Sequence, residues 1–166
     1  YQWDFTAENK ENTTKKKFLK DGKIRGMNAF NVGRRKNLEV TDYLKSNIEW
    51  IAVIPYFYQE TENSTEINTP DEIGNWSKRD SSFIIDIQKL HKKDLFVMLK
   101  PHLWMSEGWR SNIQFKDEKK WDLWFENYRK NMIHYAKMAQ FTNTDLFCIG
   151  TELKSTIKEK PCCYNY

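Results

Sequence analysis

Four short segments rich in apolar, β-branched and aromatic residues recur along an otherwise polar chain, and each has the length of a β-strand. These four predicted strands span residues 23–30, 48–59, 95–104 and 146–153. Three segments between them have apolar residues at helical spacing, at residues 37–47, 79–94 and 117–141. The order β-α-β-α-β-α-β predicts an α/β fold with a parallel sheet covered by helices.

Two of the predicted helices have clear sequence signals. The helix at 79–94 has Ile84, Ile87 and Leu90 on one side, with Asp80 or Ser81 as its predicted N-cap. The helix at 117–141 is the longest, and its apolar residues form one stripe: Trp121, Trp124, Phe125, Tyr128, Met132, Tyr135 and Ala139. Both helices are therefore expected to pack an apolar side against the sheet.

Alternation along the third and fourth predicted strands separates an apolar face from a face that becomes polar. Side chains at 97, 99, 101 and 103 are all apolar, whereas the other face begins with Phe96 and Met98 and continues with Lys100, His102 and Trp104. In the fourth strand, alternation brings Glu152 to the carboxyl-terminal end of the corresponding face. This pattern is typical of a barrel strand, with a filled core below and a functional site above.

Structural explanations exist for each of these residues. Lys100 and His102 can cap the edge of a sheet, and Trp104 and Trp109 can be ordinary packing aromatics. Glu152 can be an acid in the first turn of a helix, where the helix dipole favours it. Two successive strands that end in polar groups among aromatic rings favour a site instead. Aromatic faces with a carboxylate are suited to carbohydrate.

Composition excludes several other classes of function. The chain has 166 residues, enough for one domain, and a net charge of +4 from 27 basic and 23 acidic residues, which does not indicate nucleic-acid binding. No apolar run is long enough to span a membrane. Cys148, Cys162 and Cys163 with three histidines give no disulfide framework and no metal-ligand spacing, so we expect neither metal nor cofactor.

The segments "VMLKPHLW", "WDLWFENYRKNMIHYAKMA" and "FCIGTEL", with a Trp-rich stretch between the first two, together resemble the N-terminal half of a glycoside hydrolase of family 113. The resemblance covers residues 23–154 and implies a partial (β/α)8 TIM barrel, made of the first three βα units plus the fourth strand. Members of this family are retaining β-1,4-mannanases of clan A. The resemblance implies that Glu152 is the general acid/base and that Lys100, His102 and Trp104 line the substrate site, with Trp109 as a further sugar-stacking ring.

This chain departs from the family pattern at two points. Many clan members have Asn before the acid/base, whereas this chain has Thr151, so the usual contact to the sugar 2-hydroxyl is not implied. The family's nucleophile comes from a late barrel strand, and we expect it to be absent from a chain that is a truncated product. The expected organisation is a polar N-terminal tail (1–22), the partial barrel (23–154) and an irregular C-terminal tail (155–166) without a fourth helix.

Three functions remain open from the sequence. The first is a retaining hydrolase of β-1,4-mannan-type polysaccharide, inactive as this fragment alone. The second is a non-catalytic carbohydrate-binding remnant that uses the same face. The third is a different α/β enzyme, which ranks last because neither a nucleophile elbow nor a phosphate-binding glycine loop is present. The expected partner is a polysaccharide or oligosaccharide, in a secreted, periplasmic or surface-attached setting rather than the cytoplasm.

Overall fold

The computed structural model describes residues 23–30, 32–33, 40–70 and 72–159 of the chain. The predicted N-terminal tail, the start of the first predicted helix (37–39) and residues 160–166 with Cys162 and Cys163 lie outside this part. The described strands are β1 (Gly26–Ala29), β2 (Trp50–Val53), β3 (Tyr56–Gln59), β4 (Phe96–Leu99), β5 (His102–Met105) and β6 (Leu146–Phe147). The described helices are α1 (Thr41–Lys45), α2 (Lys78–His91), α3 (Glu118–Phe141) and α4 (Lys154–Glu159), and a single 3-10 turn spans Arg110–Asn112.

The main sheet has the strand order β1-β2-β4-β6, and every neighbouring pair in it is parallel. These four strands come from the four predicted strand segments, in the predicted sequential order. The α/β prediction with a parallel sheet is therefore confirmed. Strands β3 and β5 form a second, two-stranded parallel sheet.

The second and third predicted strands are each interrupted at a proline, which corrects the prediction of two continuous strands. Trp50 pairs with Phe96 in the main sheet, and Tyr56 pairs with His102 in the small sheet, so both sheets keep the same residue offset. With that offset, Pro55 lies opposite Pro101. Proline has no N–H to donate to a ladder, so the ladder loses a bond at Pro55, although the His102 N–H still donates to the Pro55 carbonyl at 2.9 Å. The small sheet therefore continues the main sheet beyond a break.

One face of the main sheet is covered by helices and forms the core. The side chains of Ile51, Val53, Val97 and Leu99 on that face are fully buried. Helix α2 supplies Phe83, Ile87 and Leu90 against them, and α3 supplies residues such as Trp124 and Met138. Above the break, the buried Gln59 accepts a 2.7 Å hydrogen bond from the Trp124 indole N–H. The helix α3 stripe thus packs as the sequence predicts.

Helix α2 begins at Lys78, before both of the predicted N-caps, Asp80 and Ser81. Its N-cap is Ser77, whose hydroxyl accepts a hydrogen bond from the Asp80 N–H at 3.1 Å. The Asp80 carboxylate accepts one from the Ser77 N–H at 2.9 Å, which completes a capping box. The prediction of Asp80 or Ser81 as N-cap is therefore wrong, because Asp80 is the N3 residue of this box.

The fourth predicted strand is much shorter than 146–153. Strand β6 contains only Leu146 and Phe147, and the Cys148 N–H donates one further bond to the Leu99 carbonyl at 2.9 Å. Helix α4 then follows at Lys154–Glu159, so the prediction of an irregular segment without a fourth helix is wrong for these residues. No helix in the described part of the chain is both long and apolar enough to cross a membrane.

Candidate active site

Polar and aromatic side chains gather where the strands of the sheet end. The break at Pro101 does not disturb the alternation: Pro101 and Leu103 are buried, whereas Lys100 and His102 are only partly covered and Trp104 is 49% exposed. The Lys100 ammonium donates at 3.2 Å to the side-chain oxygen of Asn28 in β1, which lies two strands away from β4 across β2. Lys100 is thus held on the β1 side of this edge.

His102 is fixed by contacts on two sides. Its Nδ1 lies 2.8 Å from the Thr151 hydroxyl, and the Tyr56 ring meets its imidazole edge-on at 5.7 Å. Burial and the nearby Arg110 guanidinium lower the pKa of His102, although Glu152 acts in the opposite direction. Because its pKa lies below the ordinary 6.5, the imidazole is mostly neutral at pH 7, and Nε2 is left to make one further hydrogen bond, as donor or acceptor according to the tautomer.

Glu152 lies in a turn rather than at the end of a strand, which corrects the alternation drawn through residues 148–152. Its backbone has φ +59°, the left-handed region, and the Ser111 hydroxyl donates to its carbonyl oxygen at 2.6 Å. Its side chain is 46% exposed and forms an ion pair with Arg110. The carboxylate therefore reaches solvent at the carboxyl-terminal end of the sheet, and it is not packed under the helices.

Arg110 is the residue that sequence reasoning missed. It is only 7% exposed, it pairs with Glu152, and its guanidinium lies 4.4 Å from the centre of the Trp109 ring. Its buried Nε has no hydrogen-bond partner. The sequence gives one signal, a lone arginine inside the aromatic stretch "EGWRSN", but its contact with Glu152 spans 42 positions and no local pattern predicts it.

Trp109 is presented by a loop that Glu62 holds in place. One Glu62 carboxylate oxygen accepts from the Trp109 N–H at 2.8 Å and from the Asn112 amide at 3.1 Å. Gly108 has φ +82°, and a Cβ at this position would lie 2.7 Å from Cγ of Glu62, so glycine is required. The Trp109 ring remains 48% exposed although Arg110 lies against it.

The structure brings the predicted residues to one end of the sheet through a set of shared contacts. Thr151 connects Glu152 to His102, and Arg110 connects Glu152 to Trp109. Tyr56 meets both His102 and Trp104 edge-on, the latter at 5.8 Å. The cluster offers a carboxylate, a neutral imidazole, two cations and exposed aromatic faces. Across residues 23–159, the described positions include no group of three His, Cys, Asp or Glu side chains that could hold a metal ion.

Comparisons with known proteins bear on the family and the fold of this chain. The family model of Glycoside Hydrolase Family 113 matches residues 31–161. A solved GH113 β-1,4-mannanase shares 28% identity with a TM-score of 0.63, over 72% of this chain and 40% of that chain. The GH113 β-mannanase AaManA from Alicyclobacillus acidocaldarius, in complex with ManMIm, shares 26% identity with a TM-score of 0.68, over 83% of this chain and 47% of that one. A comparison with curated proteins gave no match.

These similarities define how much of the fold is present. The chain spans less than half the length of the solved mannanases that it matches. Its sequential parallel strands with helices on one face correspond to part of their (β/α)8 barrel, so the predicted partial TIM barrel is confirmed. Because the family match extends over most of its residues, the chain belongs to glycoside hydrolase family 113.

Proposed function

We propose that this chain carries the acid/base side of a retaining glycoside hydrolase that acts on β-1,4-mannan-type polysaccharide. The observation that supports this most is the position of Glu152. It is a partly exposed carboxylate at the carboxyl-terminal end of a parallel sheet, beside a neutral imidazole and two exposed indoles. Active sites of (β/α)8 barrels lie at this end.

In this proposal, Glu152 donates a proton to the glycosidic oxygen as the bond to the sugar breaks. It later takes a proton from the water that releases the sugar. A retaining enzyme needs a second carboxylate about 5 Å away as the nucleophile, and the family resemblance assigns it to a later strand. Lys100 and His102 bond sugar hydroxyls, and Trp104 or Trp109 stacks on a sugar face.

The ion pair with Arg110 suits one stage of this cycle. It holds the ionised carboxylate, the form that accepts a proton from water. For the first step, the carboxyl group must be protonated and face the leaving oxygen instead. Because the Glu152 side chain is 46% exposed, its carboxylate can exchange partners without repacking of the core.

A second candidate function is carbohydrate binding without catalysis. The ion pair favours it, because Arg110 already engages the carboxylate that would act as the acid. The exposed rings of Trp104 and Trp109 serve binding equally well. In that case, oligosaccharide affinity would depend on the rings, and Glu152 would serve only to hold Arg110 in place.

The deciding experiment uses the protein encoded by the full gene that contains this chain, with β-1,4-mannan as substrate. Glu152→Gln should lower the hydrolysis rate by about 10²–10⁴-fold, the range for loss of a general acid/base. Aryl glycosides with activated leaving groups should lose less in the bond-breaking step, and added azide should partly restore their turnover. The exposed Glu107 lies in the same loop as Trp109, so Glu107→Gln should keep the parent rate.

Two results would reject the catalytic proposal. Full activity of the Glu152→Gln protein on mannan would mean that another carboxylate is the acid/base. Oligosaccharide binding without any hydrolysis by the full-length protein would favour the binding function. The 166-residue chain alone is expected to lack hydrolysis in either case, because a lone acid/base cannot form a glycosyl-enzyme intermediate.

A further inference from the structure

A cavity of about 380 Å³ lies beside the cluster around Glu152 but outside it. Its walls come from the loop between β3 and α2, the first turn of α2, the middle of α3 and strand β3. Glu152, Arg110, Thr151 and Trp109 do not line it. Its volume falls at the lower end of the range of about 300–1,000 Å³ for ligand pockets, which suits one small unit rather than several.

The wall formed by the loop is held by partly buried polar contacts. The Gly74 N–H donates to Nδ1 of His134 at 3.1 Å, and His134 Nε2 lies 3.5 Å from the Asp80 carboxylate. Asp80 also accepts from the Ser77 hydroxyl at 2.6 Å. These contacts connect the loop, α2 and α3 across as many as 60 positions. The cavity is therefore shaped by the fold, and a ligand would not have to order it.

The chemistry of the lining indicates a neutral, polyhydroxylated ligand. The side chains of Asn68 and Asn75 supply amides, and the rings of Tyr58 and Trp76 supply aromatic surface. Arg79 is accompanied by the carboxylates of Glu72 and Asp80 in the same lining, so the cavity has no excess positive charge for an anion. Amides and carboxylates that bond hydroxyls, together with aromatic rings that stack on C–H faces, suit a pyranose.

Tyr135 adds a phenolic hydroxyl to the lining. The residue is 8% exposed and lines the cavity, and its ring lies 6.3 Å from that of Phe57 on strand β3. Burial raises the pKa of Tyr135 above its usual range, so the hydroxyl keeps its proton and can donate to a hydroxyl of a ligand.

The cavity is connected to the proposed active site through strand β3. Tyr56 lines the cavity, and its ring also contacts His102 and Trp104. Tyr58 lines the cavity as well, is 40% exposed, and is paired in register with Trp104. A row of aromatic side chains therefore extends from the cluster around Glu152 to the cavity, as a chain of linked sugars would require.

We propose that this cavity binds one sugar unit of the polysaccharide, at the end of the aromatic row remote from Glu152. This inference rests on the proposed function, because it assigns a second binding position to the same substrate. It makes Tyr135, Tyr58 and the loop residues Asn68 and Asn75 determinants of affinity for long substrates. None of them touches the reacting atoms.

The test measures binding of β-1,4-linked mannohexaose to the 166-residue chain by calorimetry, so it does not require catalysis. Tyr135→Phe removes only the hydroxyl and should weaken binding by about 2–10-fold, the value of one hydrogen bond. Tyr58→Ala should weaken it by about tenfold through loss of a stacking ring. Tyr43→Phe removes a hydroxyl from α1, away from the cavity, and should leave the affinity unchanged. Circular dichroism and melting temperature check that each variant is folded.

A Trp104→Ala variant separates this inference from the proposed function. Weaker binding in Trp104→Ala, Tyr135→Phe and Tyr58→Ala supports both. Weaker binding in Trp104→Ala alone overturns the cavity proposal and leaves the active site in place. Weaker binding in the two cavity variants alone supports the cavity and counts against the cluster around Glu152. A parent chain that does not bind mannohexaose overturns the cavity proposal, while the hydrolysis assay of the full-length protein still tests the active site.

Discussion

The two faces of the same sheet differ in what their side chains do. Val97 and Leu99 face the helices and are fully buried. Met98 lies between them, faces the other way and is only partly covered. This second, uncovered face begins with the Phe96 ring, which is 7% exposed and stacked on Trp50, and it continues upward into Lys100, His102 and Trp104. The covered face remains apolar through Leu103. One short strand thus has core residues on one side and leads into the proposed binding residues on the other.

The largest effect on stability is expected from a pair of substitutions at neighbouring positions, one on each face. Leu99→Ala should lower the free energy of unfolding by about 2–5 kcal/mol, because it leaves a cavity in the core. Met98→Ala should lower it by less than about 1 kcal/mol, because the side chain is partly solvated already. Urea denaturation of the two variants gives the difference. Equal losses would mean that the two faces contribute alike to stability.

A smaller effect is expected from the polar contacts that hold the loop to the helices. Asp80→Asn should lower the free energy of unfolding by about 1–3 kcal/mol at pH 7, since a carboxylate that accepts several bonds is lost. Burial opposes ionisation of Asp80, but the hydrogen bonds from His134 and Ser77 outweigh it and lower its pKa below the ordinary 3.8.

The pH dependence of that loss has a defined sign. Because the pKa of Asp80 is lower in the folded chain, its stabilisation is fully present above pH 3.8 and is lost as the pH falls through the folded-state value. The difference between the parent chain and Asp80→Asn should therefore shrink only below about pH 4. Glu107→Gln is the control at an exposed carboxylate. A difference that stays constant down to pH 2 would contradict the assigned role of Asp80.

The smallest expected effect concerns association through the uncovered face. Leu146 pairs with Met98 on that face and is 40% exposed, at the open edge of the sheet. Exposed apolar patches of this kind drive self-association, so light scattering of the isolated chain should show oligomers. Leu146→Lys should shift the mass toward the monomer. Ile85→Lys, at a residue of α2 that is 52% exposed, should not. A parent chain that stays monomeric would show that this face does not drive self-association.

Most of the fold could be predicted from the sequence because its signals are local. Alternation over four residues identifies Val97 and Leu99 as core, and helical spacing identifies Trp121 and Trp124. The breaks at Pro55 and Pro101 were also readable, because a proline inside an apolar run argues against a continuous central strand. The sequence did not show that the two prolines face each other, because this depends on how two strands 46 positions apart align.

The contacts of the candidate site were harder to predict, because loops bring them together over long separations. Glu62 reaches Trp109 across 47 positions, and Thr151 reaches His102 across 49. His134 resembles any polar residue on a long helix, yet it is 2% exposed and holds Gly74. Alternation placed Glu152 at the correct end of the sheet but in the wrong conformation, since strand pairing stops at Phe147.

The facing prolines also have a practical consequence for exchanging parts between related proteins. Below them, β2 and β4 belong to a four-stranded ladder; above them, β3 and β5 pair with each other outside that ladder, and Gln59 of β3 also bridges Ile67. A segment that begins after each proline can therefore be replaced with the hydrogen bonds between β2 and β4 intact, and any residue other than proline at position 102 keeps the N–H bond to the Pro55 carbonyl. Pro55 and Pro101 mark natural crossover points for chimeras. Strands β3 and β5 with the loops that follow them could be transferred together onto β2 and β4 of a related protein.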